Sequence, residues 1–386
     1  MKTTNKPKLA LVLSGGGARA AYQVGVLKAI AELLPKGSAN PFPIIIGTSA
    51  GAINTAALAI YGGNFCDAVF RLLKIWRNFH VHQVFRSDLI GIIKNGYRWL
   101  LSIFLGGLGK NNPASFFDRS PLIKLLGKYL PCERIKDSID KGVIESIGIT
   151  ASAYGTGRSV VFYQTSADVT PWVRSIRIGK IDNITIDHLM ASSAIPFVFS
   201  ATKIGNDYYG DGTMRQIAPL SPAVHMGADK VLVIGVNNRR TKIANTDAEP
   251  NYPSLAEIGG HILNSIFIDS LETDLERLRR INETIDLIPS HHLTDHGIDL
   301  RRIDVTVISP SEDLQEISYR HVKELPRTVR FFLRGLGALN NNGSSLLSYL
   351  LFEKGYCREL INLGYKDAMQ HKEELINFLE IDQTEL

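Results

Sequence analysis

The feature that most constrains this chain is a strand, a tight turn and a helix, repeated twice within the first 61 residues. Leu9 to Leu13 is a continuous apolar run ended by Ser-Gly-Gly-Gly, and a helical pattern from Ala20 to Leu34 follows. A second apolar run, Ile44 to Ile46, leads through Gly-Thr-Ser-Ala-Gly into a small-residue helix from Ala50 to Tyr61. Short apolar runs bounded by glycine are typical of buried parallel strands. The order predicts an α/β fold with a mainly parallel central sheet flanked by helices.

The composition is that of an ordinary globular protein and argues against several classes. Of the 386 residues, 45% are hydrophobic and 21% are charged, so one large or two small domains can form a core without disulfides. The formal charge of +5 suits an anionic surface but is too weak to indicate nucleic acid. No RNP, zinc-finger or helix-turn-helix signature is present. We therefore expect no nucleic-acid partner.

The cysteines and the N-terminus predict a cytoplasmic protein. Cys66, Cys132 and Cys357 are widely spaced and form no CxxC pair, which favours a reducing compartment. Lysines before the first strand and Ala18-Arg19-Ala20 after it imitate a signal peptide with its cleavage site. The apolar run from Leu9 to Leu13 is shorter than the ~7–15 residues that a signal peptide requires, so we expect a buried strand.

Residues 67 to 110 have a composition of their own, because seven basic residues alternate there with seven aromatic ones. Leu89 to Leu108 is mostly apolar, but Lys94 and Arg98 interrupt it and Gly106-Gly107 breaks it. It therefore lacks the about 20 predominantly apolar residues of a spanning helix. Such a segment is typical of a lid or a membrane interface, or of a helical layer whose apolar face belongs to the core. The sequence leaves both interpretations open.

The remainder of the first 240 residues continues to alternate strand and helix patterns. Helices are predicted over Ser120–Leu130 and Ile186–Ile195, paired strands over Val143–Ala153 and Ser159–Gln164, a hairpin over Phe197–Ile204 and Asp207–Tyr209, and a buried strand over Lys230–Gly235. These elements predict a first domain over residues 8 to 240.

The pattern changes after about residue 240. A polar loop covers Thr241 to Tyr252, and a long helix is predicted from Leu255 to Ile281. Strands are predicted over Glu283–Ile288 and Ile303–Ile308, around a histidine-bearing loop. From about residue 320 the chain is helical, apart from a polar break at residues 340 to 343. We expect residues 241 to 386 to be mostly helical, and to complete the first domain or cap it.

Gly47-Thr48-Ser49-Ala50-Gly51 is a G-x-S-x-G motif between a predicted strand and a predicted helix. A sharp turn with flanking glycines lifts a serine hydroxyl into the open, and the helix N-terminus behind it stabilises negative charge. These features favour Ser49 as a nucleophile. The alternative is a glycine-serine turn that only packs a helix on a sheet.

The motif Gly15-Gly16-Gly17-Ala18-Arg19-Ala20 has two interpretations. It fits the G-x-G-x-x-A fingerprint of dinucleotide-binding proteins, and it fits a glycine loop whose free amides bind an oxyanion. A dinucleotide-binding fold should end its second strand in an acidic residue, whereas this strand ends in Ile46-Gly47-Thr48-Ser49. The sequence therefore favours the oxyanion loop. Arg19 would orient this loop or meet a phosphate, unless it is a surface arginine.

A serine nucleophile needs a base. None of the ten histidines lies in a recognisable triad context, and Ser49 follows only the second strand, earlier than in a typical α/β-hydrolase. Asp211 follows a short strand and precedes Gly212, at the kind of strand end where α/β sheets place active residues. A carboxylate of suitable pKa and distance can accept the serine proton. Asp211-Gly212 is equally consistent with a plain turn.

Three ordered motifs and one helix end together resemble the patatin-like phospholipase family. They are Gly15-Gly16-Gly17-Ala18-Arg19, Gly47-Thr48-Ser49-Ala50-Gly51, Asp211-Gly212 and Ala191-Ser192-Ser193-Ala194-Ile195-Pro196. The resemblance covers roughly residues 8 to 235 and implies a three-layer α/β/α catalytic domain over residues 8 to 240. Two residues depart from the family pattern: Ala20, where glycine is usual, and Thr213, where glycine or alanine is frequent.

The resemblance also implies roles for particular residues. Ser49 would be the nucleophile and Asp211 the general base of a dyad that cleaves carboxylic esters of lipids through an acyl-enzyme. The oxyanion hole would be formed by Gly15, Gly16, Gly17 and Ala18, with support from Arg19, Gly47, Gly51 and Gly212. The resemblance implies neither metal nor cofactor, and it implies a lipid substrate at a peripheral membrane surface.

Other functions remain open on the sequence. The same dyad would serve a transacylase, which passes the acyl group to an alcohol other than water. The chain would also suit a non-catalytic membrane-binding protein that uses residues 67 to 110 as its surface. His292 and His296 have the i,i+4 spacing of a zinc pair, although Gly297 and its polar surroundings favour a loop. The sequence indicates neither the lipid head group nor the oligomeric state.

Overall fold

The computed structural model describes residues 6–86, 115, 117–196, 198–216, 218–238, 255–289, 300–335, 337–339 and 344–381. In this part of the chain nine strands form one sheet. They are β1 (Leu9–Leu13), β2 (Ile44–Thr48), β3 (Ser146–Ala153), β4 (Ser159–Thr165), β5 (Arg177–Ile181), β6 (Thr202–Ile204), β7 (Asp207–Asp211), β8 (Lys230–Ile234) and β9 (Asp304–Ile308). Across the sheet the order is β5-β4-β3-β2-β1-β8-β9, and β7 pairs with both β3 and β6.

β1 is a central strand, and its neighbours explain its continuous apolar sequence. β2 and β8 run parallel on its two sides, with Val12 opposite Ile46 and Val233. β3 and β9 continue in the same direction beyond them. Every residue of β1 and β2 is buried, as expected of parallel strands that are covered on both faces. The predicted mainly parallel sheet is confirmed.

Helices cover both faces of this sheet. They are α1 (Ala21–Leu33), α2 (Ala50–Tyr61), α3 (Phe65–Trp76), α4 (Val81–Val84), α5 (Ser120–Tyr129), α6 (Arg134–Asp140), α7 (Ile186–Ser192), α8 (Ser221–His225), α9 (Leu255–Asp286), α10 (Leu314–His321), α11 (Arg327–Gly335), α12 (Ser344–Leu350), α13 (Lys354–Gln370) and α14 (Lys372–Leu379). Leu11 of β1 faces the larger core, which contains α1 and α2, whereas Val12 faces a second core with α8 and α9. Successive side chains of a strand point to opposite faces, so the sheet separates two helical layers.

The C-terminal helices and β9 pack directly on this framework. β9 extends the sheet as a parallel strand beside β8. α13 packs along α1, where Tyr22 Oη donates to Asp367 Oδ2 at 3.0 Å. Ser311, just after β9, donates to Asp367 through its amide and its hydroxyl. The mostly helical C-terminal region therefore shares a core with the first 240 residues, while the domain boundary itself stays a prediction.

The register along β3 brings two strand ends together. β2 pairs with one edge of β3 as far as Thr48, which lies opposite Thr150. β7 runs the other way along the same edge and ends with Asp211 opposite Ala151. Since these two pairs are consecutive on β3, the residue that follows Thr48 must lie beside Asp211.

The predicted strand Glu283–Ile288 is wrong, because α9 continues through this segment to Asp286. Ile281 and Ile285 are four residues apart and half-buried, so they extend the apolar side of the helix. A short apolar run of this kind fits both strand and helix, and the preceding helix determined the outcome.

The predicted hairpin is present, but its first strand is shorter than expected. Instead of Phe197–Ile204, only Thr202–Ile204 forms β6. The N–H of Phe199 donates to the carbonyl of Ile195 at 2.8 Å, which turns the chain before the strand begins. β5 was not predicted, and its residues are mostly half-buried or exposed.

Several sequence-based expectations concern residues outside the described ranges. These are residues 87 to 110 of the lid or membrane segment, the polar loop Thr241 to Tyr252, the histidine cluster His291, His292, Asp295, His296 and Asp299, and the break at residues 340 to 343. In the ranges that are described, no helix is both long enough and apolar enough to span a membrane. The same ranges contain no cluster of three or more His, Cys, Asp or Glu side chains arranged to hold a metal ion.

Candidate active site

Ser49 lies in a strained turn between β2 and α2. Its φ of 56° and ψ of −127° are unusual for a residue with a side chain. The amide of Ser49 donates to Ser192 Oγ at 2.8 Å, and Ser192 Oγ donates in turn to the Thr150 carbonyl at 2.6 Å. Ser49 is only 1% exposed, so its hydroxyl lies inside the protein and not in the open. The backbone is that of a sharp strand-to-helix turn, and it is held from α7 and β3.

The G-x-S-x-G glycines allow α2 to approach β1. A Cβ on Gly51 would lie 2.4 Å from the carbonyl oxygen of Leu13, so any side chain there would force the helix away from the strand. Gly47 is confined in the same way by Thr55. The motif therefore has a packing role as well, which was the alternative considered from the sequence.

Asp211 meets Ser49, as the strand register requires. Ser49 Oγ donates to Asp211 Oδ2 at 2.6 Å, and both residues are buried. The other carboxylate oxygen, Oδ1, accepts from the amide of Thr213 at 3.0 Å and from its hydroxyl at 2.7 Å. Asp211 thereby caps a short 3-10 helix, Gly212–Arg215, and the plain-turn alternative is wrong. Gly212 fits against the Thr150 carbonyl, where a Cβ would be 2.1 Å away.

The environment of Asp211 makes it a stronger base than an ordinary carboxylate. Burial raises the pKa of Asp211 to about 6, although hydrogen bonds from Ser49 and Thr213 and the charge of Arg119 act in the opposite direction. Arg119 is itself buried, and burial lowers its pKa to about 10 while the charge of Asp211 partly offsets that effect. Nη1 of Arg119 donates to the Met190 carbonyl at 2.8 Å. No sequence motif marks this arginine, since it lies just before a helix where surface residues are common.

The glycine loop connects β1 to α1 beside the serine. Gly17 has a φ of +55°, and a Cβ on it would lie 2.3 Å from the Tyr349 carbonyl oxygen, so only glycine fits. Gly17 begins a 3-10 helix, Gly17–Ala20, and its neighbour Ala18 is fully buried. Within the described chain, the amides of Gly15, Gly16 and Gly17 donate to no other group. Free amides at the start of a helix suit a negatively charged ligand.

Arg19 is buried, so the surface-arginine alternative is wrong. It is 2% exposed, and its Nε and Nη2 donate to Ser348 Oγ at 2.8 and 2.6 Å. Nη1 donates to Asn237, and the guanidinium lies 4.1 Å from the ring centre of Tyr349. All these partners are uncharged. Ser348 and Asn237 were not predicted, because they are distant from Arg19 in the chain and belong to no motif.

Gln23 and Asn54 connect the two turns through the interior. Gln23 Nε2 donates to the Ser14 carbonyl at 2.7 Å, and Asn54 Nδ2 donates to Gln23 Oε1 at 3.0 Å. Asn54 accepts from the indole of Trp76 at 2.9 Å. Both amide side chains are fully buried, and their mutual bonds hold the ends of α1 and α2 in fixed positions.

An apolar cavity begins at Ser49. Gly17 and Ser49 form one end of it, and most of the other lining residues are apolar or aromatic. The other lining residues are Ala50, Ile53, Ala57, Leu72, Ile75, Trp76, Phe79, Val84, Leu122, Leu125, Leu126, Tyr129, Leu130, Ser193, Ile195, Phe199 and Phe352. A hydrocarbon chain fits such a lining better than a charged or sugar-like ligand does. In the described residues, no histidine is hydrogen-bonded to Ser49 or Asp211.

The sequence profile of patatin-like phospholipases matches residues 11–224 of this chain. The chain belongs to the patatin-like phospholipase family. The match covers both turns and Asp211, and it confirms the resemblance carried by the motifs.

Individual relatives of this patatin-like chain are distant. The uncharacterized protein YjjU of Escherichia coli (strain K12) is 23% identical over 228 residues, which are 59% of this chain and 51% of that protein. The chain thus spans about half the length of this curated relative. VipD from Legionella pneumophila is 11% identical with a TM-score of 0.31, over 99% of this chain and 89% of that chain. ExoU from Pseudomonas aeruginosa, in complex with SpcU, is 16% identical with a TM-score of 0.26, over 89% and 70%.

Proposed function

We propose that this protein is a lipid acyl hydrolase that cleaves a carboxylic ester with Ser49 as nucleophile and Asp211 as base. The observation that carries the proposal is the 2.6 Å hydrogen bond from Ser49 Oγ to Asp211 Oδ2 at one end of an apolar cavity. A serine hydroxyl next to a base is the arrangement that nucleophilic acyl transfer requires. The cavity supplies room for the fatty acyl chain of the substrate.

Acylation begins at the serine. Ser49 Oγ attacks the ester carbonyl carbon while its proton passes to Asp211 Oδ2. A pKa of about 6 keeps Asp211 ionised at neutral pH and makes it more basic than an exposed carboxylate. When the carbonyl re-forms, the bond to the alcohol oxygen breaks and Asp211 returns the proton to that oxygen. The acyl group remains on Ser49.

The tetrahedral intermediate carries its negative charge on the former carbonyl oxygen. We assign its stabilisation to the amides of Gly15, Gly16, Gly17 and Ala18. Gly17 lines the cavity together with Ser49, which puts this loop within reach of a bound ester. Preorganised amides in a site that excludes water stabilise such charge strongly. The buried cation of Arg19 adds positive potential behind the loop.

Deacylation repeats these steps with water. Asp211 takes a proton from a water molecule, whose oxygen attacks the acyl carbon, and the proton then returns to Ser49 Oγ. The products are a fatty acid and the free enzyme. An alcohol in place of water would give a transacylase with the same residues.

Replacement of the nucleophile tests the proposal. Ser49→Ala should abolish turnover of a nitrophenyl acyl ester, and a fluorophosphonate probe should label wild-type protein at Ser49 alone. Ser193→Ala is the matched control, because Ser193 also lines the cavity but donates to the Leu189 carbonyl. Full turnover in Ser49→Ala contradicts the mechanism. Absent turnover and labelling in the wild type favour the non-catalytic membrane-binding alternative.

Product analysis separates the two enzymatic versions. We expect free fatty acid to dominate when mixed phospholipids are incubated with wild-type protein. Transfer of most of the acyl label to an added acceptor alcohol would instead establish a transacylase. No single histidine-to-alanine change should match the loss in Ser49→Ala, since the proposed base is Asp211.

A further inference from the structure

The helices that form the wall of the cavity also carry an unusual outer surface. α3 turns Leu72, Ile75 and Trp76 toward the cavity. On its other side Phe70 is 67% exposed. A phenylalanine that is two-thirds exposed has lost most of the benefit of burial, so its ring is available to an apolar partner.

α5 repeats this arrangement. Leu122 and Leu126 face the cavity, whereas Ile123 is 48% exposed on the outside. Tyr129 lines the cavity and is also 40% exposed. Tyr129 thus contacts both the cavity and the outer surface at the end of α5.

Contacts through the Tyr61 side chain connect α3 to the end of α5. The Arg71 guanidinium of α3 lies 4.5 Å from the ring centre of Tyr61. The hydroxyl of Tyr61 donates to the carbonyl oxygen of Tyr129 at 2.8 Å. Lys128 lies 5.2 Å from the Tyr129 ring centre. We call this surface, formed by Phe70, Lys74, Ile123, Lys124, Lys128 and Tyr129, the mouth face.

The charge of the mouth face is strongly positive. α3 and α5 together contain four basic residues, Arg71, Lys74, Lys124 and Lys128, and one acidic residue, Asp67. The difference is +3, compared with +5 for the whole chain. Among the described residues, no carboxylate forms an ion pair with any of these four basic side chains. Unpaired lysines around exposed apolar side chains match the head groups and the acyl region of an anionic bilayer.

We propose that the mouth face docks on a bilayer that contains anionic phospholipid, with Phe70 and Ile123 inserted at the interface. The lysines lie at the level of the phosphates, and an acyl chain passes from the bilayer into the cavity beside Tyr129. The proposal rests on the proposed function, because it supplies the substrate to Ser49. Val173 and Leu287 are also exposed, and neither of them lines the cavity.

Vesicle binding tests the mouth face separately from catalysis. Full-length Ser49→Ala protein is mixed with vesicles made of phosphatidylcholine alone or of phosphatidylcholine and phosphatidylglycerol. The bound fraction is measured by flotation. We expect binding to the anionic vesicles to weaken roughly 10- to 100-fold when Lys74, Lys124 and Lys128 are all changed to Glu. Phe70→Ser with Ile123→Ser should also weaken it, whereas Leu287→Ser should not.

Catalytic controls distinguish failure of this proposal from failure of the proposed function. When Ser49 is left unchanged, each mouth-face variant should hydrolyse a short, water-soluble nitrophenyl ester at nearly the wild-type rate. Unchanged vesicle binding in both sets of variants overturns the proposal, and so does equal binding to neutral vesicles. If vesicle binding depends on the mouth face but the wild-type protein does not hydrolyse esters, the docking proposal is supported and the proposed function is contradicted. If the mouth face binds a protein partner and does not bind vesicles, the partner is of a different kind and the lipid assignment is overturned.

Discussion

The two strand-turn-helix units have the same plan, but different parts of the chain hold them in place. The serine turn is fixed by residues within the range of the family profile, since Ser49 N–H donates to Ser192, which donates to Thr150. The glycine loop is fixed from outside that range, because Arg19 is bound by Ser348 and Gly17 fits against Tyr349. The C-terminal region thus takes part in the candidate site without contributing a residue of the dyad.

Because the two turns are held from different regions, we expect Ser49 and the glycine loop to respond to different substitutions. A defect in α7 or β3 should disturb the position of Ser49. A defect in α12 should disturb the position of the glycine-loop amides beside Ser49. The buried polar pair Gln23 and Asn54 is the direct connection between the two turns, and it limits how far either can move alone.

The largest expected effect belongs to the serine turn. Asp211→Asn should reduce kcat/KM by about 10²–10⁴-fold, the range for loss of a general base. It should also stabilise the fold at pH 8. The folded pKa of about 6 lies above the ordinary 3.8, so the native state binds the extra proton and stability falls as pH rises between these values. Removal of the Asp211 charge should increase the free energy of unfolding by up to about 3 kcal/mol. A lower Tm in Asp211→Asn than in wild type at pH 8 would contradict the burial argument.

The next effect concerns the glycine loop. Ser348→Ala removes the acceptor of two hydrogen bonds from a buried guanidinium, and bonds of charged groups contribute about 1.5–3 kcal/mol each. We expect kcat to fall about 10- to 30-fold as the loop amides lose their alignment, with the acid limb of the pH profile unmoved. Ser318→Ala is the matched control, since Ser318 is a buried C-terminal serine that donates only to Gln315. An equal loss in Ser318→Ala would indicate a general loss of stability.

A smaller effect is expected from Ser192→Ala. The bond between Ser192 and the Ser49 amide involves no charge, and neutral bonds contribute about 0.5–1.5 kcal/mol. Turnover should therefore fall about 3- to 10-fold, with Ser193→Ala as the neighbouring control. If Ser192→Ala is more damaging than Ser348→Ala, the C-terminal region is less important to the site than the contacts suggest.

Much of the framework was readable from the sequence, for a physical reason. The strands next to β1 are buried on both faces, so their apolar runs are unmistakable, and glycines mark the turns that follow. β5 was not predicted, because this edge strand contains Arg177 and Lys180 and has no continuous apolar run. Residues Glu283–Ile288 were predicted as a strand, whereas the helix continues to Asp286, because six residues are too few to separate helix from strand.

The candidate site divides in the same way. Ser49, Asp211 and the glycine loop lie in motifs, because tight turns restrict which residues fit. Arg119, Ser192 and Ser348 reach the site through contacts over 71 to 329 positions of sequence, and no local pattern marks them. Whether Arg19 is buried could not be decided from the sequence, since the residues that cover it come from α12 and from the end of β8.

The smallest effect separates the chemistry of Asp211 from its position. Thr213→Val removes one hydrogen bond that holds the pKa of Asp211 down, so that pKa should rise above about 6. Because the base must be ionised, the acid limb of kcat/KM should move to higher pH, with a loss of several-fold at pH 6 and little change at pH 8. Thr213→Ser keeps the donor and should restore the wild-type limb, although the family often has glycine or alanine here. If the acid limb does not move in Thr213→Val, the amide of residue 213 alone accounts for the effect of this turn on the pKa of Asp211. The hydroxyl of Thr213 then serves packing.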